Sequence, residues 1–201
     1  MSDGTVFIVD DDEANRMLFS DIFSSIGIDH KCFSSAQSFL DEFQSEESGC
    51  ILLDIRMPGM SGLELQRRLM EDGVAHPIII VTAHGDVSIA IEAMKAGAFD
   101  FMEKPIRNQQ LIETTQRALR YGREAIDVRN HQNDLQSRIA TLTPREREVF
   151  DQVVDGEPNK RIAFNLDISI KTVELHRAKV MQKMDARSLA DLIRAAVTAQ
   201  D

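Results

Sequence analysis

The chain has 201 residues, enough for two domains that each bury a hydrophobic core, and 43% of its residues are hydrophobic, an ordinary share for a globular protein. No apolar run approaches the roughly 18–20 residues of a membrane span, and the N-terminal segment lacks the basic region of a signal peptide, so we expect a cytoplasmic protein with no membrane partner. The two cysteines, Cys32 and Cys50, form neither a metal-binding spacing nor a disulfide framework.

The net charge of −10 is spread unevenly along the chain. Residues 1–120 carry 20 acidic and 10 basic side chains, whereas residues 141–201 carry 10 of each. Within 159–187, seven basic residues stand against three acidic ones. A positive region inside an acidic protein indicates a surface for a polyanion.

Up to about residue 105 the chain alternates short apolar runs with helical patterns. Such alternation predicts an α/β domain with a doubly wound, five-stranded parallel sheet and helices on both faces. The predicted strands are TVFIV (5–9), a weaker one near 28–33, ILL (51–53), IIIV (78–81) and AFDFME (98–103). The predicted helices lie near 13–25, 35–44, 61–71 and 87–96, with a fifth beginning near 107.

Four of these strands end on polar residues of one chemical set. They run into Asp10 and Asp11, into Asp54, into Thr82 and into Lys104. Ligands of doubly wound sheets bind outside the carboxyl ends of the strands, where the strand order reverses. The four ends would therefore deliver three carboxylates, one hydroxyl and one ammonium to a single crevice, a set that suits a divalent cation and a phosphoryl group.

The chemistry of this crevice follows from its charges. Crowded carboxylates repel one another, and Mg²⁺, which favours one or two carboxylates plus waters and phosphate oxygens, relieves that repulsion. One carboxylate can then attack a phosphoryl donor in line to give an acyl phosphate. Thr82 can hydrogen-bond one phosphoryl oxygen and Lys104 can neutralise another.

The motifs IVDDDE (8–13), LLDIRMPGMSG (52–62), VTAHGD (81–86) and FMEKP (101–105) resemble the receiver domain of bacterial two-component response regulators. The resemblance assigns residues 1–120 to a flavodoxin-like receiver domain. It implies that a sensor histidine kinase phosphorylates the chain, and that phosphorylation lets the face formed by residues 87–96, 99–103 and 107–119 pair with a second copy.

The resemblance also implies a role for each matching residue. Asp54 is the phosphoacceptor, Thr82 the switch hydroxyl and Lys104 the phosphoryl-binding lysine. The ligands of Mg²⁺ (or Mn²⁺) are Asp10, Asp11, Asp54 and the backbone carbonyl of Arg56. Phe101 takes the place of the aromatic switch residue, and Pro105 has a structural role after a Lys104–Pro105 bond that is often cis in the family. Asp12 and Glu13 match no ligand, so we expect them to begin a helix.

After Pro105 the pattern changes to long helical stretches. Residues 107–140 contain no proline and one glycine, so the last helix of the sheet domain is expected to run on into a helical or partly helical linker at 121–141. From 142 to 201 the pattern predicts an all-α domain of four helices. A short helix, a tight turn and a basic helix form the helix-turn-helix pattern. The predicted helices are Pro144–Val154, with Thr143 as N-cap, Asn159–Leu166, Ile170–Met184 and Leu189–Val197.

The basic helix at 170–184 separates into faces when its residues are placed about 100° apart. Val173, Val180 and Met184 form an apolar stripe for the domain core, and the remaining surface fits the major groove of DNA. The candidate DNA-binding residues are Lys171, Thr172, Glu174, Leu175, His176, Arg177, Ala178, Lys179 and Lys183.

The segments LTPREREVF (142–150), GEPNKRIAFNLDISIKTVELHRAKVMQKM (156–184) and SLADLIRAA (188–196) resemble the LuxR/FixJ-type DNA-binding domain. Together the two resemblances imply a transcriptional response regulator that is not an enzyme. Phosphorylation of Asp54 would promote a homodimer, and the dimer would bind paired half-sites on double-stranded DNA, with RNA polymerase as a further partner.

Two other classes of function stay open at the level of sequence. Paired aspartates after a first strand also suit phosphatases with an aspartyl-phosphate intermediate, although Asp10 and Asp12 would then have to serve as nucleophile and acid, and no cap insertion for a substrate is present. Alternatively, the C-terminal helices would form a phosphorylation-gated protein-interaction module, since residues 142–184 also resemble the promoter-reading helices of sigma factors.

Overall fold

A computed structural model of the chain describes residues 4–45, 47–83 and 87–199. By their contacts these residues divide into two compact units, with the division after Asp127. No helix within the described ranges is long and apolar enough to cross a membrane.

The first unit is a five-stranded sheet in the order β2-β1-β3-β4-β5, with every neighbouring pair parallel. This confirms the predicted doubly wound α/β fold. The strands are β1 (Thr5–Val9), β2 (His30–Phe33), β3 (Gly49–Asp54), β4 (Ile78–Thr82) and β5 (Asp100–Glu103). The helices are α1 (Glu13–Ser25), α2 (Ala36–Glu42), α3 (Gly62–Glu71), α4 (Val87–Lys95) and α5 (Asn108–Ala140), which continues into the second unit.

Helices cover both faces of the sheet, so the central strands are buried on both sides. Phe7 and Val9 of β1 pack into a core with α2, α3 and α4, whereas Val6 and Ile8 pack into a second core with α1 and α5. Burying one such side chain contributes roughly 1.5–3 kcal/mol. Edge strand β2 is buried only in part, which explains why its sequence signal was the weakest.

Side chains that flank the strand ends also begin the helices. The Asp12 side chain accepts a hydrogen bond from the Ala14 amide as N-cap of α1, which confirms its expected helix-start role. Ser61 forms a reciprocal capping box with Glu64 at the start of α3. The two caps fix where the chain turns from β1 into α1 and from the β3 loop into α3.

The second unit is all helical, as predicted. Its helices agree with the sequence prediction to within one residue at each end. They are α6 (Pro144–Val154), α7 (Asn159–Asn165), α8 (Ile170–Lys183) and α9 (Leu189–Thr198). Thr143 caps α6, as the sequence indicated, and it also forms a capping box with Glu146.

The C-terminal part of α5 packs into the core of this second unit. Leu135 is 4% exposed and belongs to the same hydrophobic cluster as Val149 and Val173, with Ile139 packed against it. The Arg138 guanidinium donates a hydrogen bond of 3.3 Å to the carbonyl of Met184, which caps the C-terminus of α8. Residues 128–140 of the segment predicted as a linker are therefore a packed helical element of the second unit.

A buried carboxylate ties α6 to the end of α8. The Lys183 Nζ donates to Glu146 Oε2 at 2.6 Å and to the Thr141 carbonyl at 2.8 Å. Glu146 is only 4% exposed, and its Oε2 also accepts from the Thr143 amide at 2.9 Å. The hydrogen bond from Lys183, with that from Thr143, lowers the pKa of Glu146 to about 2.

Leu135→Ala is expected to destabilise the second unit by about 2–5 kcal/mol, because it leaves a cavity in a closed core. Urea unfolding followed by circular dichroism measures the loss. Val128→Ala on the same helix is the control, since Val128 is 58% exposed and its truncation should change stability by no more than about 0.5 kcal/mol. Equal effects of the two substitutions would show that the end of α5 is not part of the core.

The stability of the second unit is expected to fall in acid through Glu146. Because its folded pKa of about 2 lies below the unfolded value of about 4.3, the carboxylate stabilises the fold above pH ~4.3, and this contribution disappears as the pH falls towards ~2. Glu146→Gln should lower the thermal midpoint at pH 6 and flatten its decrease in acid. Glu148→Gln, an exposed neighbour on α6, should leave the pH profile of the wild type nearly unchanged.

Candidate functional site

The carboxylates at the ends of β1 and β3 lie side by side. Val9 is in register with Leu53, so Asp10 and Asp54 occupy neighbouring strand ends. They are 2% and 6% exposed, respectively. The strand order reverses between β1 and β3, since β2 lies beyond β1 on one side and β4 beyond β3 on the other. The pair therefore lies at the topological switch point, where doubly wound sheets bind their ligands.

A lysine from the end of β5 bridges this pair. The Lys104 Nζ donates to Asp10 Oδ2 at 2.7 Å and to Asp54 Oδ1 at 2.8 Å. The Lys104 amide donates to the Thr82 carbonyl at 2.8 Å, and the following bond to Pro105 is cis. The structure thus brings two of the three predicted carboxylates and the predicted ammonium into direct contact.

Backbone and helix groups hold both carboxylates in place. The Asp12 amide donates to Asp10 Oδ1 at 2.9 Å, and the Arg56 amide donates to Asp54 Oδ2 at 2.7 Å. The Arg16 guanidinium donates to the Asp10 carbonyl at 2.7 Å. Sequence reasoning missed Arg16, although its position one turn into the helix that follows Asp10 was a usable signal.

Burial and pairing shift the ionisation of Asp54 and Lys104. Burial raises the pKa of Asp54 above its ordinary value, while the hydrogen bond from Lys104 limits the rise. For Lys104, burial disfavours the charged form, but the hydrogen bonds to Asp10 and Asp54 outweigh it and raise the pKa. The ammonium is therefore held charged beside a carboxylate that water solvates poorly.

Thr82 and Phe101 lie on the same face of the sheet. Ile80 is paired with Phe101 across β4 and β5, and Thr82 follows Ile80 by two residues, so the alternation of side chains places all three on one face. Thr82 is 1% exposed, and Phe101 is half-buried against the core formed with α2, α3 and α4. His84, Gly85 and Asp86 of the VTAHGD motif lie outside the described residues.

Glycine is required where α3 begins above Asp54. A Cβ on Gly62 would lie 2.1 Å from the carbonyl oxygen of Asp54, a distance that no side chain tolerates. The Gly62 amide also donates to the Ile55 carbonyl at 2.9 Å. This close contact with the strand end was not predicted from the sequence.

The side chains of this crevice suit a hard divalent cation that needs few protein ligands. Among the described residues, no three His, Cys, Asp or Glu side chains lie close enough together to hold a metal, and Asp11 is exposed. Mg²⁺ needs only one or two carboxylates in addition to water and phosphate oxygens, and Asp10 and Asp54 supply two. The residues therefore fit Mg²⁺, while the ligand roles of Asp10, Asp11, Asp54 and the Arg56 carbonyl stay predictions.

The second candidate surface is the outward face of α8. Val173, Val180 and Met184 are buried in the helical core, as the periodicity predicted. Five of the nine candidate DNA-binding residues are exposed on the other side. They are Lys171, Glu174, Leu175, Ala178 and Lys179.

The other four candidates on α8 are half-buried, and three of them bond to neighbouring parts of the fold. The Arg177 guanidinium donates to Asn159 Oδ1 of α7 at 2.7 Å, and Lys183 binds Glu146. The hydroxyl of Thr172 is 2.8 Å from that of Ser169, the N-cap. His176 has a buried Nδ1 that makes no hydrogen bond within the described part of the chain.

Glu146 is the partner that sequence reasoning missed on this surface. Glu146 precedes Val149, Phe150 and Val153 by three, four and seven residues, so it lies on the buried stripe of α6. A carboxylate at such a position requires a cationic partner, and this could have been recognised from the sequence.

Comparison with known families assigns each of the two candidate sites to a known type of domain. A model of the response regulator receiver domain matches residues 6–116, and a model of the luxR family of bacterial regulatory proteins matches residues 140–196. Receiver domains generally bind Mg²⁺ at the phosphorylation site. A receiver domain implies a kinase as phosphodonor, and a LuxR-type domain implies binding to DNA.

Full-length relatives share this arrangement of two domains. The transcriptional regulatory protein FixJ of Rhizobium meliloti is 46% identical over 98% of this chain and 97% of its own. The structure of the response regulator StyR is 40% identical over 96% of this chain and 98% of its own, with a TM-score of 0.86. Full-length FixJ from B. japonicum is also 40% identical, over 100% and 98%, with a TM-score of 0.59. These relatives are regulators and not classical enzymes. The chain belongs to the FixJ-type transcriptional response regulators, which join a receiver domain to a LuxR-type DNA-binding domain.

Proposed function

We propose that a sensor histidine kinase phosphorylates Asp54 and that this phosphorylation switches on DNA binding by α8. The observation that carries the proposal is the buried contact of Lys104 with both Asp10 and Asp54 at the switch point of the sheet. A carboxylate whose pKa burial has raised is a better nucleophile than a fully solvated one. The adjacent ammonium is a fixed positive charge for the phosphoryl oxygens.

Each residue of the crevice has a distinct part in the transfer. An Asp54 carboxylate oxygen attacks phosphorus in line, so that a bond from oxygen to phosphorus forms while the bond from phosphorus to the kinase histidine breaks. Lys104 then neutralises one phosphoryl oxygen, and the Thr82 hydroxyl donates to another. The Asp12 and Arg56 amides keep the two carboxylates oriented throughout.

Mg²⁺ (or Mn²⁺) would be held by Asp10, Asp11, Asp54 and the Arg56 carbonyl, and when bound it would neutralise developing charge on the phosphoryl oxygens. Asp10 already accepts hydrogen bonds from the Asp12 amide and from Lys104, which fix the orientation of its carboxylate. The position of Asp12 argues against the phosphatase alternative, because its side chain caps α1 and is not placed as a second catalytic acid.

The switch would run from Thr82 to the α4 surface. Movement of Thr82 towards the phosphoryl group leaves space on the sheet face that it shares with Phe101, so the ring can turn inward. Val87, Ile91 and Met94 of α4 are 71%, 49% and 46% exposed, which gives α4 an apolar surface for a second copy. To invert a 1:99 conformational equilibrium, phosphorylation must favour the switched conformation by roughly 5.5 kcal/mol.

DNA recognition would use the exposed face of α8 in the major groove. Lys171 and Lys179 would contact phosphates, Glu174 would accept from a cytosine amino group, and Leu175 and Ala178 would meet thymine methyls. A dimer would place two such helices on half-sites about one helical turn apart. Because its partners would be DNA and RNA polymerase, we place the protein in the cytoplasm.

Addition of beryllofluoride, a phosphoryl mimic, with Mg²⁺ is expected to convert the wild-type chain from monomer to dimer in light scattering. Asp54→Asn should stay monomeric under the same conditions, because it removes the oxygen that binds the mimic. Asp41→Asn, an exposed carboxylate on α2, is the control and should dimerise normally. Full dimerisation of Asp54→Asn would contradict the proposal.

Lys179→Ala is expected to weaken binding to all duplexes alike and to reduce the salt slope by about 1, because it removes one phosphate contact. Glu174→Ala should instead change sequence preference, since it removes a contact to a base edge. Fluorescence anisotropy with operator and unrelated duplexes at several salt concentrations distinguishes the two. Binding that does not fall with salt would favour the protein-interaction alternative.

A further inference from the structure

The most exposed large apolar side chain among the described residues lies on α7, the first helix of the helix-turn-helix pair. Phe164 is 82% exposed, more than any other large apolar residue in those ranges. Single exposed apolar residues are common on protein surfaces. A phenyl ring is nevertheless among the side chains that are most costly to leave in water.

The rest of α7 is held firmly by the domain. Ile162 and Ala163 are buried at 0% and 7% exposure, and about 100° per residue places Phe164 on the opposite side of the helix. Asn165 donates to the Gln152 side chain of α6 at 2.8 Å, and Asn159 accepts from Arg177 of α8. Phe164 is therefore presented by a helix that is anchored on its other sides.

Positive charge flanks the ring. Phe164, Pro158, Lys160 and Arg161 line a shallow groove of about 350 Å³. Lys160 and Arg161 precede Phe164 by four and three residues, so their side chains are its neighbours on the helix surface. The described lining of this groove carries two positive charges and no negative one.

We propose that this groove, formed by Pro158, Lys160, Arg161 and Phe164, binds an acidic segment of RNA polymerase that carries an apolar side chain. The proposal rests on the proposed function, because it concerns the regulator once it is bound at a promoter. An aromatic ring beside arginine is the composition enriched where protein partners bind tightly, and the two cations complement a segment rich in carboxylates.

Position and charge favour a protein over DNA as the occupant. Phe164 lies in the last turn of α7, where the helix dipole is negative and phosphate is disfavoured. The exposed residues assigned to base reading lie on a different helix, α8. DNA backbones are contacted by basic and polar groups, so a phenyl ring contributes little there.

The test compares DNA binding with polymerase recruitment in the full-length chain activated by beryllofluoride. An operator is first selected from random duplexes and placed beside a minimal promoter. Phe164→Ala should bind the operator within twofold of the wild type. The wild type should raise the affinity of purified RNA polymerase holoenzyme for the promoter fragment by about tenfold, and Phe164→Ala should lose most of this increase.

Matched variants separate loss of the ring from loss of the fold. Phe164→Leu should keep part of the recruitment, because it retains an apolar side chain, and Val128→Ala should keep all of it. Weaker operator binding by Phe164→Ala would assign the ring to DNA and overturn the proposal, as would unchanged recruitment. A wild-type chain that selects no duplex would overturn the proposed function itself, a distinguishable result.

Discussion

The receiver depends on one buried contact, in which the Lys104 ammonium lies between the carboxylates of Asp10 and Asp54. Two carboxylates at neighbouring strand ends would repel each other if nothing lay between them, and the cation from β5 makes their burial tolerable. The strands that carry the three groups are separated by long stretches of sequence. The contact therefore exists only when the sheet is assembled in the order β2-β1-β3-β4-β5.

The same contact explains how chemistry at one point can affect a distant surface. In the proposed mechanism, a phosphoryl group on Asp54 would share Lys104 with Asp10, and the charge balance at the strand ends would change. Thr82 lies on the next strand end and faces the same core as Phe101. A close-packed core does not deform gradually, so a change at Thr82 is expected to produce discrete alternatives in the ring and in α4.

In the second unit, α8 serves both the core and the outer surface. Val173 and Val180 bury one side, while Lys183 neutralises Glu146 and Arg177 holds α7. These contacts fix the angle at which the exposed face is presented. Two of the basic candidate DNA-binding residues, Arg177 and Lys183, therefore have partners within the domain, so less positive charge is left for DNA than the sequence count indicates.

Local sequence determined the elements, the helix caps and the chemistry at the strand ends, because alternation, helical periodicity and capping depend on residues a few positions apart. It placed α8 to within one residue and identified Asp54 and Lys104 as neighbours in one crevice. Only the tertiary structure decided which charges are paired, since Lys183 and Glu146 are 37 residues apart in sequence. It also decided that Leu135 belongs to the helical core, because sparsely spaced apolar residues on a helix do not show which neighbouring surface buries them.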